Sequence, residues 1–359
     1  MLKELRPLKR IAPSRFVNMK RCRLREVLVQ SDVGTFLPSP PNTYFGVIAH
    51  QLLAKAVTGI IPSIDIIERE WETLIADFEK QLTKSDFERH LAPLSNTVKS
   101  YEVRKRMLFK AAAKLIPRGE HFPSSISSAE KWIETSDRIL GGYIDRIKFT
   151  NGNYEIIDFK TGTVVDPSTN EIKEEYKCQM MLYAAILFEN LGACPASLRI
   201  QELEGKCFDI NFKIDDCLEL KEQAKQLFKE TNDIIEQADG IEELQYALAN
   251  PADENCLYCS FRPVCNPYWK KKVGASSHSG ACDIRGKLVS LQLLGNGTYL
   301  IKIEGLKNTY RVRGIHPHRH HITVGDYISI YNLRSDKVEN CFSEGLLTTV
   351  YIHKKDKKF

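Results

Sequence analysis

The sequence predicts an α/β domain followed by a small all-β barrel. Three observations carry that reading. Residues up to about 270 mix helical periodicity with strand-like runs. The stretch from Lys272 to Gly280 is small, polar and rich in Gly and Ser, as linkers are. Beyond it the pattern changes to short alternating β runs. With 359 residues, 43% of them hydrophobic, the chain is long enough for about two domains of roughly 150 residues each. The expected division is residues 1–272, a linker at 273–280, and 281–359.

In chain order, a basic segment leads into a helix around Tyr44–Val57. Helical stretches follow at 63–82 and 84–115, the second broken near Pro93. Gly141–Phe149 and Tyr154–Phe159 read as strands joined by Thr150-Asn151-Gly152-Asn153. Asn-Gly between β runs signals a hairpin, because both residues accept positive φ. Glu174–Glu189 reads as a helix, with Met180, Leu182, Ala185, Ile186 and Phe188 near helical spacing. Ser197–Leu203 and Cys207–Phe212 read as strands around the turn Glu204-Gly205-Lys206, and Asp215–Gln237 as a long amphipathic helix. In the tail, β-like runs begin at Gly286, Thr298, Thr309 and Gly325, so about five short strands are expected. Gly325-Asp326 ahead of a β run suits an oligonucleotide-binding (OB) barrel, and an SH3-like barrel fits nearly as well.

Charge is unevenly divided. Residues 1–25 carry nine Lys/Arg and one acid, and residues 270–359 carry sixteen Lys/Arg and seven acids. Against an overall +5, the centre is net −12. Basic ends around an acidic centre suit a polyanion beside a carboxylate-rich, cation-binding site. No apolar run approaches the roughly 18 residues of a membrane span, and no membrane partner is expected. The basic start lacks an apolar run and a small-residue cleavage site, so no export is expected either. In the reducing cytoplasm that this implies, ten cysteines argue for metal or cofactor ligation over a disulfide framework.

The chemistry-bearing set lies on the predicted hairpin. Asp145 sits on its first strand, and Asp158 and Lys160 on its second. Residues two apart on a strand face one side, and a hairpin brings its strands within about 5 Å. Two converging carboxylates repel unless a cation lies between them. A lysine beside that cation can orient water or steady charge developing on phosphorus, as phosphodiester hydrolysis requires. Asp-x-Lys alone is equally an exposed hairpin with scattered charges, so its company decides.

Asp145, Asp158-Phe159-Lys160-Thr161-Gly162, Gln179-x-x-x-Tyr183 and the upstream Gly46-x-x-x-His50 together resemble the RecB-like branch of the PD-(D/E)XK nuclease superfamily. The resemblance implies a restriction-endonuclease-like α/β core and a metal-dependent DNA nuclease using Mg²⁺ or Mn²⁺. His50, Asp145, Asp158 and the carbonyl of Phe159 would ligate the metal, and Lys160 would be the catalytic lysine. Gln179 and Tyr183 would contact the cut strand or position Lys160. Single-stranded or end-containing DNA is the implied substrate and exonuclease action the implied mode, in repair, recombination or antiviral defence.

Cys256 and Cys259, followed by Cys265, stand at x2 and x5 spacing, and Cys22 lies far upstream. This distribution resembles the iron–sulfur subset of RecB-like nucleases, which includes CRISPR-associated and AddB-like members. The resemblance implies that the four thiolates hold a [4Fe–4S] cluster. Such a cluster would clamp the first and last elements of the domain across a long loop. Zn²⁺ on four cysteines remains the alternative. The other six cysteines show no ligand spacing.

Weaker signals remain. His316-Pro317-His318-Arg319-His320-His321 reads as a polar barrel loop without acidic or thiol companions. Arg311 and Arg313 near Tyr299 and Tyr310 suit single-strand binding by charge and stacking, or simply a half-buried strand. Trp71, Trp132 and Trp269 read as packing residues. No G-x-x-x-x-G-K-[ST] loop occurs, so unwinding would need a helicase partner. The alternative function is a catalytically weak iron–sulfur DNA-binding scaffold that recruits a helicase or recombination complex.

Overall fold

The computed structural model describes residues 5–117, 125–274 and 282–353, excepting the side chains of 125–130, 273 and 274. Short helices α1 (Phe16–Arg21) and α2 (Arg23–Gln30) precede α3 (Pro41–Val57), whose proline occupies the first turn, where an N–H is dispensable. Helices α4 (Ile67–Leu82), α5 (Leu94–Thr97) and α6 (Tyr101–Leu115) follow. Of the helix expected over 84–115, only the part beyond Pro93 is α-helical, as α5 and α6 with a break at 98–100, and 84–92 form turns and a short 3-10 segment.

The first sheet has the order β1 (Ser125–Glu134), β2 (Gly141–Thr150), β3 (Asn153–Lys160), β4 (Ser197–Glu202) and β5 (Cys207–Asp209). Asn151 (φ 51°) and Gly152 (φ 81°) make the β2–β3 hairpin turn that the dipeptide predicts. β3 and β4 run parallel, joined by α7 (Glu174–Leu191), and the other neighbours are antiparallel. α7 carries Glu174 and Glu175 at its positive end and stops at Gly192, which is left-handed at φ 65°. Helices α8 (Ile214–Gln237), α9 (Ile241–Leu248), α10 (Asp253–Cys256) and α11 (Asn266–Gly274) complete this part.

Two cores flank the sheet. One joins α7, α1 and α2 through residues such as Met180, Ile186, Met19 and Leu24 to Ile144 and Ile156. The other joins α3, α4 and α6 through Phe45, Leu52, Trp71 and Leu108 to Ile157 and Phe159. The expected linker begins late, because Lys272 and Val273 belong to α11, and its residues 275–280 lie outside the described residues.

The C-terminal strands are β6 (Cys282–Leu293), β7 (Tyr299–Glu304), β8 (Thr309–Ile315), β9 (Tyr327–Ser335), β10 (Cys341–Ser343) and β11 (Thr349–His353). β6 pairs with both β7 and β9, and β8 pairs with β7 and, in parallel, with β10. β10 also pairs with β9, closing a ring, and β11 flanks β9. Ile301, Ile303, Val312, Ile328 and Ile330 fill its centre. Tyr299 and Tyr310 pack against that core, so of the expected stacking set only Arg311 and Arg313 face outward.

This barrel is seated on the first part of the chain. The buried Arg262 guanidinium bonds the buried Asp283 (2.7 Å), which also accepts from the Tyr268 hydroxyl (2.7 Å) and the Asn332 N–H (2.9 Å). The histidine-rich loop forms a second junction, and the reading without an acidic companion is corrected here. Glu344 pairs with Arg319 (2.5 Å) and lies 3.3 Å from His320. Arg319 in turn donates to Thr348 O and reaches His90.

Candidate active site

Asp145 stands where the β2–β3 ladder ends. The last ladder pair is Arg146 with Ile157, and beyond it the Asp145 carboxylate takes the place of a backbone acceptor. Its Oδ2 accepts the Phe159 N–H at 2.7 Å. Its Oδ1 lies 3.3 Å from His50 Nδ1, presented by α3. Gly46 makes this meeting feasible, because a Cβ there would stand 2.9 Å from Thr161 Oγ1. A bare glycine thus brings α3 against the segment following Lys160, and His50 follows one turn later. Arg104 of α6 donates to the Thr161 carbonyl and holds that segment from the other side.

Asp158 and Lys160 project together from β3. Lys160 Nζ is 2.7 Å from Asp158 Oδ2, and Gln179 Nε2 donates to Asp158 Oδ1 at 2.7 Å. The Gln179 carbonyl oxygen accepts from Lys160 Nζ at 3.1 Å, so one amide orients both charged groups. Tyr176, one turn before Gln179, lies under the ammonium at 4.7 Å and was not foreseen, although its i, i+3 spacing was available.

Tyr183 lies one turn beyond Gln179 but does not reach Lys160. Its hydroxyl donates to the Tyr143 carbonyl at 2.7 Å, in room left by Gly142, where a Cβ would meet that hydroxyl at 3.1 Å. Gln179 and Tyr183 are both buried, at 5% and 3% exposure. Gln179 thus holds Asp158 and Lys160 from behind, the second of its two expected roles, and Tyr183 holds the β2 backbone.

The electrostatics follow from burial and closeness. Burial raises the Asp158 carboxyl above the ordinary carboxylate range, against the pull of Lys160 and with a further push from Asp145. Burial would lower Lys160, but the negative charge of Asp158 prevails and the ammonium is raised. His50 is also raised, its burial outweighed by the hydrogen bond and charge of Asp145. Acid and base are thus paired as His50–Asp145 and Lys160–Asp158.

In that paired state no group of three or more His, Cys, Asp or Glu is arranged to hold an ion as it stands, among the described residues. The residues nevertheless fit a hard cation. Asp158 Oδ2 is buried and accepts no well-formed hydrogen bond, its ammonium neighbour notwithstanding. A lone pair of that kind is what an oxygen-seeking divalent ion takes. Phe159 contributes its N–H to Asp145 and its ring to the core.

The structure also gathers the distant cysteines. Cys22, in the break between α1 and α2, lines one cavity with Cys256, Cys259 and Cys265. Asn250 and Asn255 both donate to the Arg21 carbonyl, tying the start of the α/β part to its last helices beside Cys22. Arg262 donates to the carbonyls of Cys256, Leu257 and Cys259, shaping the loop that carries two of the thiols. Burial, then neighbouring thiols, pushes Cys256 up to about 11, and burial with the same neighbours helps push Cys265 up to about 12. As they stand, the four thiols form no group arranged to hold a metal, among the described residues.

Trp132 departs from its reading as a packing residue, being 37% exposed, whereas Trp71 and Trp269 are buried. No helix of the described residues is long and apolar enough to cross a membrane.

Among curated proteins none matches the chain. The PD-(D/E)XK nuclease superfamily matches residues 10–266, a span that contains the whole acidic site and all four gathered cysteines. With most of its length matched, the chain belongs to the PD-(D/E)XK nuclease superfamily.

Proposed function

We propose that this chain is a metal-dependent deoxyribonuclease that hydrolyses phosphodiester bonds at ends or flaps of single-stranded DNA. The observation that carries the reading is the convergence of Asp145, Asp158, Lys160 and His50, with the buried Asp158 Oδ2 2.7 Å from the Lys160 ammonium. His50, Asp145, Asp158 and the Phe159 carbonyl would hold Mg²⁺ or Mn²⁺, which would supply Lewis-acid polarisation of the phosphate and a more acidic water. Lys160, kept cationic by Asp158, steadies charge developing on the phosphorus oxygens. Gln179 fixes the relative geometry of Asp158 and Lys160, and Tyr183 fixes the strand that carries Asp145.

Cys22, Cys256, Cys259 and Cys265 are assigned to a [4Fe–4S] cluster that clamps the domain, with Zn²⁺ as the competing occupant. The closed ring β6-β7-β8-β10-β9, with β8 and β10 parallel, supports an OB-like barrel over an SH3-like one. Its outward Arg311 and Arg313 add electrostatic affinity and hence salt-sensitive binding.

The test is digestion of single strands labelled at the 5′ or the 3′ end, with Mn²⁺, by the wild type and by Lys160→Ala. Shortened products from the wild type and none from the variant support the enzyme. Strands bound but uncut by both support the alternative, a DNA-binding scaffold that recruits a helicase or recombination complex. Brown colour and broad visible absorption lost on Cys259→Ser support the cluster, and colourless zinc-bearing protein opposes it.

A further inference from the structure

Beside the acidic site, β1 and β2 carry an aromatic pair that the proposed chemistry does not use. Trp132 and Tyr143 are cross-strand partners, with ring centroids 4.9 Å apart at 67°. Tyr143 is 62% exposed and Trp132 37%, a large open aromatic surface at the β1 edge of the sheet. The pair is held in place. The Arg10 guanidinium lies 4.9 Å from the Trp132 ring centre, and Glu134 accepts from Arg10 (3.0 Å) and from the indole N–H (3.2 Å). Arg10 itself is fixed because Ile11 bonds the start of β2, through Ile139 O and the Gly141 N–H.

The position matters as much as the exposure. Tyr143 precedes Asp145 by two residues on β2, while the intervening Ile144 is buried in the core beneath α7. Alternation therefore sends Tyr143 and Asp145 to the same side, about 7 Å apart along the strand. That spacing is close to the separation of neighbouring nucleotides in an extended strand. Of the basic N-terminal segment, Arg10 is the cation set against the pair.

We infer that Trp132 and Tyr143, braced by Arg10 and Glu134, form a stacking platform for unpaired bases of the DNA strand next to the cleavage site. Stacking on exposed rings needs a free base face, which a duplex keeps occupied, so the platform selects single strands over duplexes. The inference rests on the nuclease reading for its substrate class, and its test is made independent of cleavage.

Binding is measured in EDTA with oligo(dT) and with an abasic phosphodiester strand of equal length, by anisotropy of an end label. The wild type is expected to favour the base-bearing strand by roughly 5- to 150-fold for each base stacked. Tyr143→Ala and Trp132→Ala each lose most of that preference with unchanged abasic and duplex binding, and Tyr143→Phe retains it. Because Trp71 and Trp269 are buried, quenching of tryptophan emission by oligo(dT) reports on Trp132. Equal affinity of the wild type for both strands, or an unaltered preference in both alanine variants, overturns the platform. Base-dependent binding without cleavage in Mn²⁺ overturns the nuclease reading and leaves the platform standing.

Discussion

Gln179 illustrates how much one neutral side chain decides. Its amide donates to Asp158 and accepts from Lys160 inside a nearly closed space. Gln179→Leu leaves Asp158 Oδ1 buried without its partner, and a destabilisation of about 1–3 kcal/mol is expected in denaturant unfolding. Gly46 makes a sharper test, because it acts only through closeness to Thr161 Oγ1. Gly46→Ala is expected to lower Mn²⁺-dependent cleavage at least several-fold, and adding Thr161→Ala restores much of it. Independent, additive effects in that double-mutant cycle contradict the contact. At this scale the sequence was legible for Asp145, Asp158 and Lys160, whose alternation on a hairpin already places them. It was not legible for Tyr183, because helical spacing names a face without saying what lies against it.

At the scale of elements, α8 is fastened to the site's scaffold by two lysines. Lys221 pairs with Glu189 of α7 at 2.9 Å, and Lys225 with Asp137 of the β1–β2 turn at 2.6 Å. Partial burial would raise both carboxyls. The lysines and hydrogen bonds at Ser136, Thr135 and Ile139 prevail, and each is held down to about 2. A carboxyl depressed on folding stabilises above its unfolded value, near 3.8 for Asp and 4.5 for Glu. That contribution is lost as pH falls from there through about 2, and solvent screening keeps it under about 1 kcal/mol for each pair. Thermal unfolding followed between these limits is expected to show a decline that Lys221→Met with Lys225→Met flattens. The elements themselves were largely foreseen, from the α3 periodicity to the Asn151-Gly152 turn. Among those not foreseen are α1, α2, α9 and α11, and β1, whose Ser125-Ile126-Ser127-Ser128 start becomes a strand by pairing with β2.

Across the whole molecule, the cysteine cavity joins the first and last elements of the α/β part, and Arg262 links it to the barrel. It donates to three carbonyls of the cysteine loop and to Asp283 of β6. Breaking one partner of a buried ion pair leaves an uncompensated charge, so Asp283→Ala is expected to cost about 3–5 kcal/mol. Limited proteolysis then releases the barrel from the nuclease part sooner than in the wild type. The gathering of Cys22 with cysteines more than two hundred residues away was not deducible from spacing and came only with the resemblance. The barrel's seat, where its Tyr331 packs on Tyr268 and Trp269, was not legible either, because interface aromatics look like core aromatics in a sequence. The central claim is that Asp145 and Asp158 form one cation seat. Electron paramagnetic resonance of free Mn²⁺ titrated into the protein measures it most directly. The wild type is expected to remove Mn²⁺ from solution, and Asp145→Ala and Asp158→Ala to do so far more weakly. Uptake unchanged in both variants contradicts the account.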